Sequence, residues 1–113
     1  MELSQKSCKA CERGTPPLSA AQAKSLLTAI KEWQINDTHS EISREYRFKN
    51  YYRTMAFVNA LAWISHQEDH HPDLEVGYNR CLVRYSTHAI GGLSENDFIC
   101  AAKANTLMEK TEQ

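Results

Sequence analysis

The sequence predicts an α+β fold in the order α-β-β-α-β-β-α, with one four-stranded antiparallel sheet and the helices packed on one of its faces. Three observations carry this prediction. Apolar residues recur at helical spacing in three segments, two of which open on a capping-box pattern. Segments between them alternate apolar and polar residues, the mark of half-buried strands. These strands fall in two pairs on either side of the central helix, and hairpins with segregated helices define the α+β class.

The elements follow in order. Residues 1–17 are polar and close on Gly14-Thr15-Pro16-Pro17, which reads as an N-terminal tail and a stop before a single domain over 18–113. Ser19 and Gln22 match the N-cap and N3 positions of a capping box. Ala23, Leu26, Leu27 and Ile30 then recur at helical spacing, so the first helix is expected over about residues 20–32. Ile35-Asn36-Asp37 reads as a short extended piece before a turn. From Glu41 to Phe48 the chain alternates, with Ile42, Tyr46 and Phe48 on one side, interrupted by Arg44.

Asn50 is a suitable N-cap for a helix over 51–67, marked by Met55, Val58, Leu61, Ala62 and Ser65 and widened by Phe57 and Ile64. Pro72 has no amide hydrogen and pushes the preceding residue toward extended backbone, so this helix is expected to end near Asp69. Segments 74–78 and 80–86 alternate and form a hairpin if a tight turn lies near Asn79. Gly91-Gly92 breaks the chain. Ser94 and Asp97 form a second capping-box pattern, and Phe98, Ile99, Ala101, Ala102 and Met108 make the last helix. The sheet leaves an edge that calls for cover, which predicts oligomerisation.

Composition narrows the function. A chain of 113 residues is the size of one domain. Thirteen Lys and Arg against fourteen Asp and Glu give a net charge of -1, which argues against nucleic acid as the main partner. No apolar run approaches the roughly 18 residues of a membrane span. The N-terminus has no apolar core of a secretory signal, so the default compartment is the cytoplasm. In that reducing setting Cys81 and Cys100, among apolar neighbours, are expected as buried thiols. Cys8 and Cys11 form a lone CxxC. Zinc sites of this kind use four ligands, and a redox CxxC opens a helix after a strand, so a tail without chemistry is the preferred reading and a metal or redox role the alternative.

Four of the five histidines lie between residues 66 and 88: His66, His70, His71 and His88. Imidazole changes charge near neutral pH and serves proton transfer or metal binding. His66 and His70 are spaced i, i+4 and share a helix face if the helix reaches that far, but the run His-Gln-Glu-Asp-His is not HExxH. His70 and His71 end a helix, and His88 ends a strand. Element ends are where side chains of separate segments converge, so these three can face one another across a cleft. Solvated histidines with no common site are the competing reading.

The segment from His66 to Asp97 resembles the pterin-4a-carbinolamine dehydratases. Their signature is an acidic or basic residue, a three-residue gap and His-His-Pro, then an aromatic residue, a histidine and an aspartate at set spacings. Here His66 precedes His70-His71-Pro72, Tyr78 follows after five residues, His88 after nine more and Asp97 after eight more. The likeness extends over about residues 16–108. It departs from the commonest pattern at His66, where many members carry Glu, and at Leu74, where many carry Trp.

The resemblance implies a hydro-lyase that converts 4a-hydroxytetrahydrobiopterin to quinonoid dihydrobiopterin and water, recycling the pterin cofactor of aromatic amino-acid hydroxylases. It implies His70 and His88 as the acid–base pair, with His71 binding substrate and assisting. Asp69, Ser86 and Thr87 would line the pterin site. His66 and Asp97 would support it, although Asp97 also reads as the N3 residue of a cap, and Tyr78 reads as core. No redox change occurs, so no metal and no cofactor of the protein's own is expected. A homodimer or homotetramer is implied. The alternative is a non-enzymatic role as a binding or dimerisation cofactor for a partner protein.

Overall fold

The computed structural model describes residues 2–111; the last two residues of the expected 18–113 domain lie outside that range. The helices are α1 (Ala20–Leu27), α2 (Tyr51–Glu68) and α3 (Glu95–Thr111), and the strands are β1 (Gln34–Ile35), β2 (Ile42–Arg47), β3 (Asp73–Val76) and β4 (Arg80–Tyr85). The strand order is β1-β2-β4-β3, and every pair is antiparallel. The chain therefore has the α+β fold that the alternation and spacing predict.

Local chemistry explains the boundaries. Ser19 accepts from the Gln22 amide and Gln22 reaches back to the Ser19 amide, closing the capping box of α1. This helix stops at Leu27, short of the expected residue 32. The Ala29 and Ile30 amides turn back to the Leu26 and Leu27 carbonyls, and Glu32 adopts a left-handed backbone at φ 72°. The apolar spacing continued past the helix because Ile30 and Trp33 still reach the core from this turn, 3% and 5% exposed. Asn50 caps α2 by accepting from the Arg53 amide. The other end of α2 closes at Asp69, which is left-handed at φ 51°, and the His70 amide donates to the Ser65 carbonyl at 3.2 Å.

The core lies between one face of the sheet and the helices. Ile42 and Tyr46 of β2 and Cys81, Val83 and Tyr85 of β4 pack with Phe57, Leu61, Leu93 and Phe98. Arg44 sits on the same inward face, and its guanidinium stacks 4.3 Å from the Tyr46 ring centre while donating to Asn105 at 2.7 Å. This accommodates a cation within an apolar stripe. The opposite face carries Glu45, which pairs with Arg80 at 2.9 Å and Arg47 at 2.7 Å. Tyr78, expected in the core, is 65% exposed because it lies in the hairpin turn, where its carbonyl accepts from Thr54.

The N-terminal segment lies along α3. Ser4 accepts from Lys103 at 2.9 Å, the Cys8 amide donates to Glu68 at 2.8 Å, and the Lys9 amide donates to Asn96 at 3.0 Å. Among the described residues no helix is long and apolar enough to cross a membrane.

Candidate active site

Three element ends meet at one cleft. The end of α2 carries Asp69, His70 and His71; the end of β4 leads into Ser86, Thr87 and His88; and the first turn of α3 supplies Asn96 and Asp97. The left-handed closure at Asp69 turns His70 away from the helix axis. Beyond β4, His88–Ile90 forms a single 3-10 turn that ends on Gly91 at φ 68°, a backbone that favours glycine. A Cβ on Gly92 would sit 2.7 Å from the Pro17 ring, so Gly91-Gly92 serves both the turn and a close approach.

Asp97 is the hub. Its carboxylate is fully buried. One oxygen meets His70 Nε2 at 2.6 Å, and the other accepts from the Thr87 hydroxyl at 2.8 Å and from the Ser94 amide at 2.9 Å. Because Thr87 gives its proton to Asp97, the Ser94 hydroxyl donates to Thr87, 2.8 Å away. The cap pattern read at Ser94 and Asp97 is thus part of a larger network that also fixes a histidine. Paired with the carboxylate, Nε2 carries the hydrogen, and Nδ1 has no partner among the described residues. The His70 ring stacks on Tyr85 at 5.8 Å between centres and 9° between planes, and its side chain is 13% exposed. Burial holds the Tyr85 phenol well above its ordinary pKa, so the platform beneath His70 is neutral.

The other histidines differ. His71 and His88 are exposed and line the same cleft as His70, Asp69, Ser86 and Thr87. That cleft has a volume of about 530 Å³, ample for a bicyclic small molecule. A slightly larger cavity of about 560 Å³, beside Leu3 and Asn105, contains no histidine, and chemistry selects the smaller one. His66 does not line the cleft; its ring tilts against Trp63 at 5.5 Å on the outside of α2. Among the described residues no three His, Cys, Asp or Glu side chains are grouped to hold a metal ion.

Sequence reasoning missed Cys8, Lys9, Ala10 and Cys11, which line the cleft, and Glu68 and Asn96, which hold them. Hydrogen bonds between residues so far apart in the chain leave no periodic signal. Only the presence of a CxxC in an otherwise polar segment marked the place.

An antiparallel sheet with helices on one face, and a cleft at the ends of α2 and β4 lined by three histidines, define an α+β protein with a histidine-lined pocket. The chain belongs to the pterin 4 alpha carbinolamine dehydratase family, whose model matches residues 16–107. It is 61% identical over 108 residues to a provisionally named pterin-4-alpha-carbinolamine dehydratase of Nitrosomonas eutropha, covering 95% of this chain and 94% of the relative. It is similar in structure to a transcriptional coactivator/pterin dehydratase from Brucella melitensis, with a TM-score of 0.77, 31% identity and coverage of 80% and 97% of the two chains. It also shares the fold of a pterin dehydratase-like protein described as a RuBisCO assembly factor in the alpha-carboxysome, at a TM-score of 0.59, 22% identity and coverage of 67% and 88%.

Proposed function

We propose that the chain is a 4a-hydroxytetrahydrobiopterin dehydratase, releasing water from the carbinolamine to give quinonoid dihydrobiopterin and thereby serving an aromatic amino-acid hydroxylase. The observation that carries this reading is His70: a nearly buried imidazole with one nitrogen fixed on a buried carboxylate, in a cleft it shares with two further histidines. Hydroxide leaves C4a poorly, so an acid must protonate the departing oxygen while a base takes the N5 proton as the C=N bond forms. With Nε2–H committed to Asp97, His70 Nδ1 is the base. His88 is the acid, and His71 binds the substrate. Such transfers supply about 10²–10⁴-fold each. Asp69, Ser86 and Thr87 line the pterin site. Electrons and atoms balance without redox chemistry, so the scheme calls on no cofactor.

The protein acts as a homo-oligomer in this reading. Edge strand β3 exposes all four residues, Leu74 and Val76 among them, and α2 exposes Tyr52 at 81% and Trp63 at 60%. The test is a spectroscopic dehydration assay on freshly generated carbinolamine, corrected for the uncatalysed rate, with light scattering of the same sample. Turnover that survives a chelator and a particle of two or four chains are expected. No acceleration over buffer overturns the dehydratase and leaves the partner-binding alternative.

A further inference from the structure

Resting on the dehydratase reading, we propose that residues 8–11 form a substrate-contacting wall of the cleft and that Asn96 is the residue that positions this wall. The CxxC segment borders the site: Cys8, Lys9, Ala10 and Cys11 line the same cavity as the three histidines. It is held there by bonds that a loose tail would not make. The Asn96 carboxamide, on a residue 8% exposed, accepts from the Lys9 amide at 3.0 Å and donates to the Lys9 carbonyl at 2.5 Å. It thus pairs with both backbone groups of one residue, as a neighbouring strand would. A buried carboxamide without partners is costly, so this side chain is committed to the segment.

The other contacts agree. Glu68, the last residue of α2, accepts from the Cys8 amide at 2.8 Å, and the Cys8 sulfur lies 3.5 Å from the buried Cys100 sulfur of α3. The Asn96 amide also reaches Cys11 Sγ at 3.5 Å. One helical turn therefore sets two walls: Asp97 fixes His70, and Asn96, one residue earlier, fixes residues 8–11. Three of the four residues on this wall, Cys8, Ala10 and Cys11, have small side chains, which leave the cleft open to a ring system. A wall so placed acts on binding and on which pterins enter, and the proton transfers remain with the histidines.

Two measurements on the full-length protein test this. The first uses wild type alone and 7,8-dihydrobiopterin, which lacks the 4a-hydroxyl and cannot be dehydrated. Saturating probe should slow maleimide labelling of Cys11, followed by peptide mass spectrometry, by about fivefold or more. The second uses Asn96→Leu, which keeps the side-chain size and removes both bonds to Lys9. Its KM should rise about tenfold while kcat stays within about twofold, because binding and not chemistry is altered. Its Cys11 should label faster than in wild type. Probe that binds, by fluorescence quenching, without protecting Cys11 overturns the wall and leaves the dehydratase standing. An unchanged KM in folded Asn96→Leu overturns it equally, and if that variant misfolds the wild-type protection decides. A wild type that neither binds the probe nor dehydrates the carbinolamine removes the dehydratase reading and this wall with it.

Discussion

His70 and His88 line one cleft but are held in opposite ways. His70 is packed flat on Tyr85 and tied to a carboxylate with no solvent contact. His88 stands in solvent on a single 3-10 turn, and exposed His71, which lines the same cleft, lies 3.5 Å from the Pro72 carbonyl. The contrast fits a division of labour. A base must aim one lone pair at one atom, and a fixed tautomer on a rigid platform supplies that aim before substrate arrives. An acid that serves a departing hydroxyl can be oriented by the substrate itself.

The largest effect expected of this contrast is on turnover. His70→Ala should lower kcat by roughly 10²–10⁴, or about 3–5 kcal/mol of barrier. His88→Ala should also lower kcat, toward the lower end of that range, because water and buffer acids reach an exposed position. His71→Ala should mainly raise KM. Steady-state kinetics on variants with native circular dichroism check the series. Wild-type kcat in both His70→Ala and His88→Ala would falsify the acid–base assignment, and equal losses would erase the distinction between the two histidines.

The next effect separates support from chemistry. Read from the sequence as a cap, Asp97 would cost about 1 kcal/mol on removal. Buried, with bonds to His70, Thr87 and Ser94, it should cost about 3 kcal/mol as Asp97→Ala, since two buried donors and an imidazole lose their acceptor. Asp97→Asn keeps the shape, so its stability loss should be smaller while kcat still falls, because the amide no longer fixes the His70 tautomer. Urea titrations beside kinetics measure both. A loss near 1 kcal/mol for Asp97→Ala with normal kcat would return Asp97 to a capping role.

The difference between Asp97 as a cap and Asp97 as a hub shows what the sequence could convey. Capping boxes, the stop before Pro72 and the strand alternation are local, and each was legible because short-range sterics and hydrogen bonding decide it. The convergence of His70, His71 and His88 was also legible, as residues at element ends joined by family spacing. The fates of His66 and Tyr78 were not: one i,i+4 partner of His70 faces outward against Trp63, and the turn carries Tyr78 into solvent. The end of α1 was misjudged because Ile30 and Trp33 reach the core from an irregular turn as well as a helix would bring them. The segment at Cys8–Cys11 depends on Glu68 and Asn96, far away in sequence, and long-range pairing of single polar groups carries no pattern to read.

The smallest effect appears only in alkali, and it probes the buried core behind the cleft. Burial raises the Tyr85 phenol beneath His70 and the Tyr46 phenol, and raises the Cys81 thiol to about 11 from 9.0; Cys100 is raised first by its hydrogen bond with Cys8 and then by burial. All four groups hold their protons more tightly folded than unfolded. Their stabilisation is therefore complete below the ordinary thiol value and is lost as pH rises, for Cys81 between 9.0 and about 11. The urea midpoint should be level up to that window and then fall. Cys81→Ala should start lower, because it leaves a small cavity, yet fall less steeply across the same interval, since one of the titrating groups is gone. Parallel curves for the two proteins would show that the Cys81 thiol is not held protonated by burial, and would remove it from the dry side of the sheet on which the His70 wall rests.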